Sequence, residues 1–276
     1  MPFIYRKKIG KKFSYTNASQ KDLDRIKALH IPPQWENVEI SKSSNEKIQA
    51  TGIDSKKRKQ YIYHSSWIAK SKEAKFKNMN NFSYTNYQRV LNNHIKKHDL
   101  SRDCVICNML KIMGDLNIRV GNEIYLKENA SIGLTTLMKK HLTCTNGKLS
   151  LSFKGKKGIQ HTKKITDKIS INFIMKIKRA PGTFLFYHNN RVVNSGDLNS
   201  FLKENVSKDI TCKDIRTHSA NDLFVKFMGK LPIPNTERDR KKNISLGLKY
   251  TSEHLGNTPK VCRDSYISPE NIKKYT

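Results

Sequence analysis

A tyrosine, two arginines and a lysine, scattered along a basic chain, are the residues of this sequence that could do chemistry. Thr258 before Pro259 reads as a helix N-cap with proline at the first helical position. A short helix should therefore present Tyr266 about two turns later, where Pro269 breaks it. A phenol so placed is a packing residue or a nucleophile, and Lys260 and Arg263 on the same segment favour an anionic target. Helical spacing sets Arg216 on the stripe of Ala220, Leu223 and Phe227. An arginine there must find an anion or bear a heavy desolvation cost, and Asp214 is too near in sequence to face it. Phosphate is the natural partner, because its oxygens match the guanidinium fork. Arg119 follows an apolar helix, between Ile118 and Val120, a place that equally suits a surface arginine at a helix C-terminus. Lys156 lies between Gly155 and Gly158 at a hairpin tip, where lysines are usually solvated unless a substrate arrives.

Charge narrows the partner. The 276 residues hold 53 Lys and Arg against 23 Asp and Glu, a formal charge of +30, which suits a surface that displaces counterions from nucleic acid. An AT-rich genome that favours Lys and Asn codons would explain part of this excess, but acidic residues would not then be scarce. With 36% hydrophobic residues, 11 Phe, 11 Tyr and 2 Trp, the chain can build a core and is no disordered basic tail. Residues 1–8 lack the apolar run of a signal peptide, and no stretch approaches the ~18 apolar residues of a membrane span. An intracellular, reducing location without membrane contact is expected, and the odd count of five cysteines agrees with free thiols. Cys104 and Cys107 form a C-x-x-C with no second pair, so helix packing is the better reading. Neither a P-loop nor a cluster of acidic ligands occurs, so no cofactor and no metal are expected.

The elements that must position these residues fall into an α+β fold of two parts. Phe3 to Tyr5, Phe13 to Tyr15, Val38 to Ser41, Gln49 to Ile53 and Gln60 to His64 read as strands. Ser19 with Asp22 opens a helix that ends before Pro32-Pro33. Strand alternation places Tyr61 and Tyr63 on one face, beside the basic turn containing Lys56, Arg58 and Lys59. A basic turn followed by exposed aromatics can touch phosphates and base edges together. From about Ser66 the period turns helical: Trp67 to Phe76, Tyr87 to Ile95, and Cys104 to Met113. The boundary falls near residues 65–72, giving a β-rich N-terminal domain over 1–68 and a mainly helical domain over 69–276. Within the latter, Leu142 to Cys144, Leu149 to Phe153 and Ile159 to Thr162 form a three-stranded hairpin sheet around the turn Asn146-Gly147 and the Lys156 tip.

The set Arg119, Lys156, Lys213-x-x-Arg216 and Tyr266 resembles the active site of type IB DNA topoisomerases, in particular the small poxvirus-type branch also found in bacteria and giant DNA viruses. Similar stretches are Gln49 to Gly52, Lys59 to Tyr63, Ile118 to Tyr125 with Lys127 to Asn129, Gly133 to Leu137, and Leu255 to Tyr266, so that nearly the whole chain is covered. The resemblance implies a tyrosine-recombinase-like breaking and rejoining fold, with the N-terminal domain as a DNA clamp. It implies that Tyr266 attacks a phosphodiester to leave a 3′-phosphotyrosyl bond, that Arg119 and Arg216 stabilise the transition state, and that Lys156 protonates the leaving 5′-oxygen. It further implies DNA contacts from Lys56, Arg58, Lys59, Gln60, Tyr61 and Tyr63, then from Tyr125, Lys127 and Lys213, and from Lys260 and Arg263. Where poxvirus members carry histidine before Thr-Pro, this chain has Asn257, whose amide can still donate a hydrogen bond to phosphate. His254 and His218 lie near in sequence, but His254 reads as structural or exposed.

The resemblance also implies a monomer on double-stranded DNA, ATP-independent relaxation and a CCCTT-like preference. Lys- and Asn-rich usage tilts the origin toward a large DNA virus, with the site of viral DNA replication or the virion as location, or the nucleoid if bacterial. Two rivals stand beside this reading. A tyrosine recombinase usually has histidine where Lys213 stands, and an architectural DNA-binding protein leaves Arg216 on its stripe unexplained.

Overall fold

The computed structural model describes residues 2–80 and 82–275. Contacts divide the chain into two units, Met1–Lys77 and Asn78–Thr276.

In the first unit, β1 (Phe3–Ile9), β2 (Lys12–Thr16), α1 (Gln20–Ala28), β3 (Glu36–Ser41), β4 (Ile48–Ile53) and β5 (Lys59–Tyr63) follow in sequence. The strands pair antiparallel in the order β2-β1-β3-β4-β5. Alternation along β1 and β3 turns Ile4, Val38 and Ile40 inward, where Ile26 of α1 and Ala50 of β4 complete a small core. The Ser19 hydroxyl accepts from the Asp22 N–H and Asp22 reaches back to the Ser19 N–H, the expected capping box. Helix α2 (Ser65–Asn80) follows directly. It runs unbroken through residues 65–72, where the sequence placed the boundary, and the division of contacts falls within it after Lys77 rather than after residue 68.

The second unit is organised on α3 (Tyr84–Ile95) and above all α4 (Arg102–Leu116), whose residues from Cys104 to Leu110 are all buried. A helix apolar on every side belongs in the middle of a core. Packing makes Cys104 and Cys107 buried free thiols, and burial pushes the Cys104 thiol up to about 11. Next come α5 (Glu123–Asn129) and the sheet β6 (Leu142–Thr145), β7 (Lys148–Lys154) and β8 (Gln160–Ile165). Asn146 and Gly147 turn β6 into β7 with φ of 50° and 71°, the geometry that Asn-Gly favours. The chain continues through α6 (Lys168–Ile177), the short pair β9 (Tyr187–His188) and β10 (Arg191–Val192), and α7 (Ser195–Asn205). Helices α3, α6, α7 and α8 (Cys212–Met228) all pack on α4.

A second core joins α8 to α9 (Glu237–Leu255) and α10 (Pro259–Ser265) through Ala220, Phe224, Met228, Ile244, Leu248, Leu255 and Cys262. Two sequence expectations change here. The buried stripe of α8 from Arg216 runs through Ala220, Phe224 and Met228, while Leu223 and Phe227 are only half-buried, because α8 is covered on more than one side. Pro269 does not break the helix of Tyr266; α10 ends at Ser265, and Pro269 opens α11 (Pro269–Lys273) at its first position.

Candidate active site

Tyr266 stands at the C-cap of α10, with φ of −127° and ψ of −42°, half-buried. The entry to this helix is as the sequence demands, with the Thr258 hydroxyl accepting from the Val261 N–H and Pro259 at the first position. Its exit is held by Asn221 of α8, which sequence reasoning missed. The Asn221 amide donates to the Tyr266 carbonyl at 2.7 Å and to the Thr217 carbonyl at 2.8 Å, and its oxygen accepts from the Ser268 N–H at 2.8 Å. With every polar atom satisfied inside the fold, Asn221 pins the backbone on both sides of the phenol.

Arg216 faces the phenol from α8. Its guanidinium carbon lies 5.5 Å from the Tyr266 ring centroid, with the phenol within hydrogen-bonding reach, and the residue is 3% exposed. One terminal nitrogen donates to the Leu255 carbonyl at 2.5 Å, while Nε is enclosed without a partner among the described residues. Burial lowers the guanidinium to about 10, with Tyr266 opposing and Arg119 adding to the fall, so it stays charged at neutral pH. Arg119 reaches this group from the segment after α4, where Asn117 caps the helix in the left-handed region and the Arg119 carbonyl accepts from the Leu134 N–H at 2.8 Å.

Strand β8 supplies two more residues that sequence reasoning passed over. His161 stacks on Phe153 of β7 at 5.1 Å, and burial first, then Lys163, Arg119 and Arg216, push its imidazole down to about 4, leaving it neutral at pH 7. Lys163 donates to the His254 carbonyl at 2.6 Å, and burial with Arg216 lowers its ammonium to about 8. The signal was present in the alternation His161, Lys163, Ile165, which puts all three on the inner face once Ile165 is inside. Gly256, the left-handed cap of α9 at φ 60°, lets the chain pass this imidazole; a Cβ there would sit 2.1 Å from His161 Cε1.

Asn257 follows, with both side-chain amide atoms enclosed and unpartnered among the described residues. An unpaired buried amide costs about 1–3 kcal/mol, which an incoming acceptor would relieve. Lys156 is exposed on the turn between β7 and β8, and Lys213 is exposed in the first turn of α8, one turn before Arg216. Lys260 and Arg263 are exposed on α10, as are Tyr125 and Lys127 on α5. His254 is structural, bonded through Nδ1 to the Tyr250 carbonyl at 2.8 Å, and His218 stacks on Tyr84 at 4.1 Å.

In the first unit, Tyr61 and Tyr63 share one face as expected, stacked at 6.1 Å, with Tyr63 stacked on Trp67 at 4.8 Å. Lys59 lies over Tyr61 and Lys47 over Trp67, closing the stack at both ends. The basic turn is partly spoken for: Asp54 takes Arg58 through both Nε and a terminal nitrogen and also accepts from Gln60, and Lys57 pairs with Glu36. The Arg58 hydrogen bonds hold the Asp54 carboxyl at about 2. Lys56 and Lys59 remain exposed.

Comparison with known proteins gives the family. A family profile described as "Eukaryotic DNA topoisomerase I, catalytic core" matches residues 56–275, and one described as "Bacterial DNA topoisomerase IB, N-terminal domain" matches residues 2–54. The DNA topoisomerase 1B of Acanthamoeba polyphaga mimivirus is 34% identical over 297 residues, covering 100% of this chain and 88% of its own length. That of vaccinia virus (strain Copenhagen) is 28% identical over 238 residues, covering 79% and 69%. One solved structure, a XerH site-specific recombinase bound to palindromic difH substrate, aligns with a TM-score of 0.44 and 12% identity over 70% of this chain and 50% of the other, too slight a likeness to bear on function. With the matched catalytic core spanning residues 56–275, the chain belongs to the type IB DNA topoisomerase family.

Proposed function

We propose that this topoisomerase relaxes supercoiled duplex DNA by transesterification through Tyr266. The Tyr266 oxygen attacks a backbone phosphorus as its proton passes to solvent water, the bond to the 5′-oxygen breaks, and the strand is held as a 3′-phosphotyrosyl ester. Lys156 gives the 5′-oxygen its proton. Arg119, Arg216 and Asn257 donate to the non-bridging oxygens, where charge builds in the transition state. Because the ester conserves the energy of the broken bond, the free end rotates and its hydroxyl reseals the strand with no ATP. The observation that carries this reading is Arg216, buried beside the phenol, anchored by one nitrogen to Leu255 and with Nε unfilled among the described residues. A buried fork with an open donor is a socket for a phosphate oxygen.

DNA contacts outside the scissile phosphate are assigned to exposed residues. Lys213, Lys260 and Arg263 meet flanking phosphates, and Tyr125 and Lys127 of α5 meet the duplex nearby. In the first unit Lys56 and Lys59 meet phosphate while Gln60, Tyr61 and Tyr63 face a groove, and Arg58 joins them after exchanging Asp54 for phosphate. The enzyme acts as a monomer with a preference for a CCCTT-like site. The test is supercoiled plasmid in EDTA without ATP: relaxation in single linking-number steps is expected, and Tyr266→Phe should keep DNA affinity while losing relaxation and the SDS-stable adduct. An adduct formed by the phenylalanine variant would assign the nucleophile elsewhere.

A further inference from the structure

The last turn of α9 ends in carbonyls with no helical partner, and cations from two other elements take two of them. Arg216 of α8 bonds the Leu255 carbonyl, and Lys163 of β8, ninety-one residues away in sequence, bonds the His254 carbonyl at 2.6 Å. The same strand presses the His161 imidazole against Gly155, at the base of the Lys156 turn, and against Gly256, the residue before Asn257. A lysine half-buried beside Arg216 is a costly way to dock a strand. An apolar residue would fill the space more cheaply, so the donated hydrogen bond and its direction are what the lysine supplies.

We infer that Lys163 is a positioning residue for strand cleavage: by bonding the His254 carbonyl it fixes the α9–α10 junction against β8 and so holds Asn257 at the phosphate. The inference rests on the assignment of Asn257 as a phosphate donor. Lys163 itself touches no substrate. A junction released by a fraction of an ångström still binds duplex through the exposed cations but aligns the amide poorly, so the loss falls on the rate of cleavage rather than on affinity.

The test is a double-mutant cycle in the full chain, read as single-turnover adduct formation on a nicked or suicide duplex. Lys163→Met should slow cleavage about 10- to 100-fold with duplex affinity within about 3-fold of the parent. Combined with Asn257→Ala it should be no slower than the slower single variant by more than about 3-fold, because both remove the same contact. Lys163→Arg, which can also donate to the carbonyl, should recover most of the rate. Multiplicative defects in the double variant, or a parent rate in Lys163→Met, would overturn the inference. Asn257→Ala at the parent rate would instead sink the assignment beneath it. If the methionine variant does not fold, Lys163→Leu, which likewise cannot donate, replaces it in the same cycle and must meet the same criterion.

Discussion

On the proposed function, Arg216 is a single side chain kept ready for an anion. Its burial lowers the guanidinium to about 10, with the Tyr266 phenol opposing the fall, while one nitrogen stays anchored on the Leu255 carbonyl. Asn257 is the complementary case, a neutral donor left without a partner among the described residues. Asn257→Ala should therefore cost about 3 kcal/mol of transition-state stabilisation with ground-state DNA binding nearly unchanged, as measured by single-turnover cleavage against equilibrium binding. Asn257→His should keep much of the rate and add a pH dependence between about 5.5 and 7.5 that the parent lacks. Lys156→Ala should slow cleavage of ordinary DNA yet recover on a duplex whose leaving 5′-oxygen is sulfur, which departs without a proton. Equal defects on both substrates would leave Lys156, or its neighbours Lys154 and Lys157, as plain phosphate contacts. His161 adds a stability term. With the folded imidazole near 4 and the unfolded one at 6.5, the unfolded chain takes up its proton first, so stability is unaffected above pH 6.5 and falls as pH drops toward 4. The loss is on the order of 3 kcal/mol, and urea titrations at stepped pH should show a flatter profile in His161→Gln.

At the level of elements, what the sequence disclosed was what neighbours in the chain decide. The capping box of Ser19 and Asp22, the turn at Asn146-Gly147 and the start of α10 at Thr258-Pro259 each depend on a few adjacent residues, and each appears where expected. The inner stripe of α8 was misread because a helix covered on several sides has no single apolar face, so Leu223 and Phe227 looked as eligible as Phe224 and Met228. Lys163 and Asn221 were missed for a different reason. A lysine on a short strand and an asparagine in mid-helix acquire meaning only from carbonyls that arrive 91 and 45 residues later. The α9 cap joins both kinds of information. Gly256→Ala should cost about 1–2 kcal/mol for the left-handed backbone alone, and more because the added methyl overlaps His161, so thermal unfolding should move down and cleavage should fall with it.

For the molecule as a whole, charge was the most legible feature and the least specific. A net +30 announces a polyanion but leaves open which residues meet it; the ordered set Arg119, Lys156, Lys213, Arg216 and Tyr266 made the family legible. Binding should weaken with salt at a log–log slope of about −0.9 per phosphate neutralised, and a slope near zero would contradict contacts in both units. The aromatic stack of the first unit has a spectroscopic consequence. The chain's tryptophans, Trp35 and Trp67, both lie in the first unit, and Trp67 sits between the Tyr63 ring and the Lys47 ammonium. Intrinsic fluorescence excited at the indole band therefore reports on that unit alone, while the covalent adduct reports on the other. Emission that changes on adding duplex before any adduct forms would time the engagement of β5 against the chemistry at Tyr266, with no dye attached to either partner.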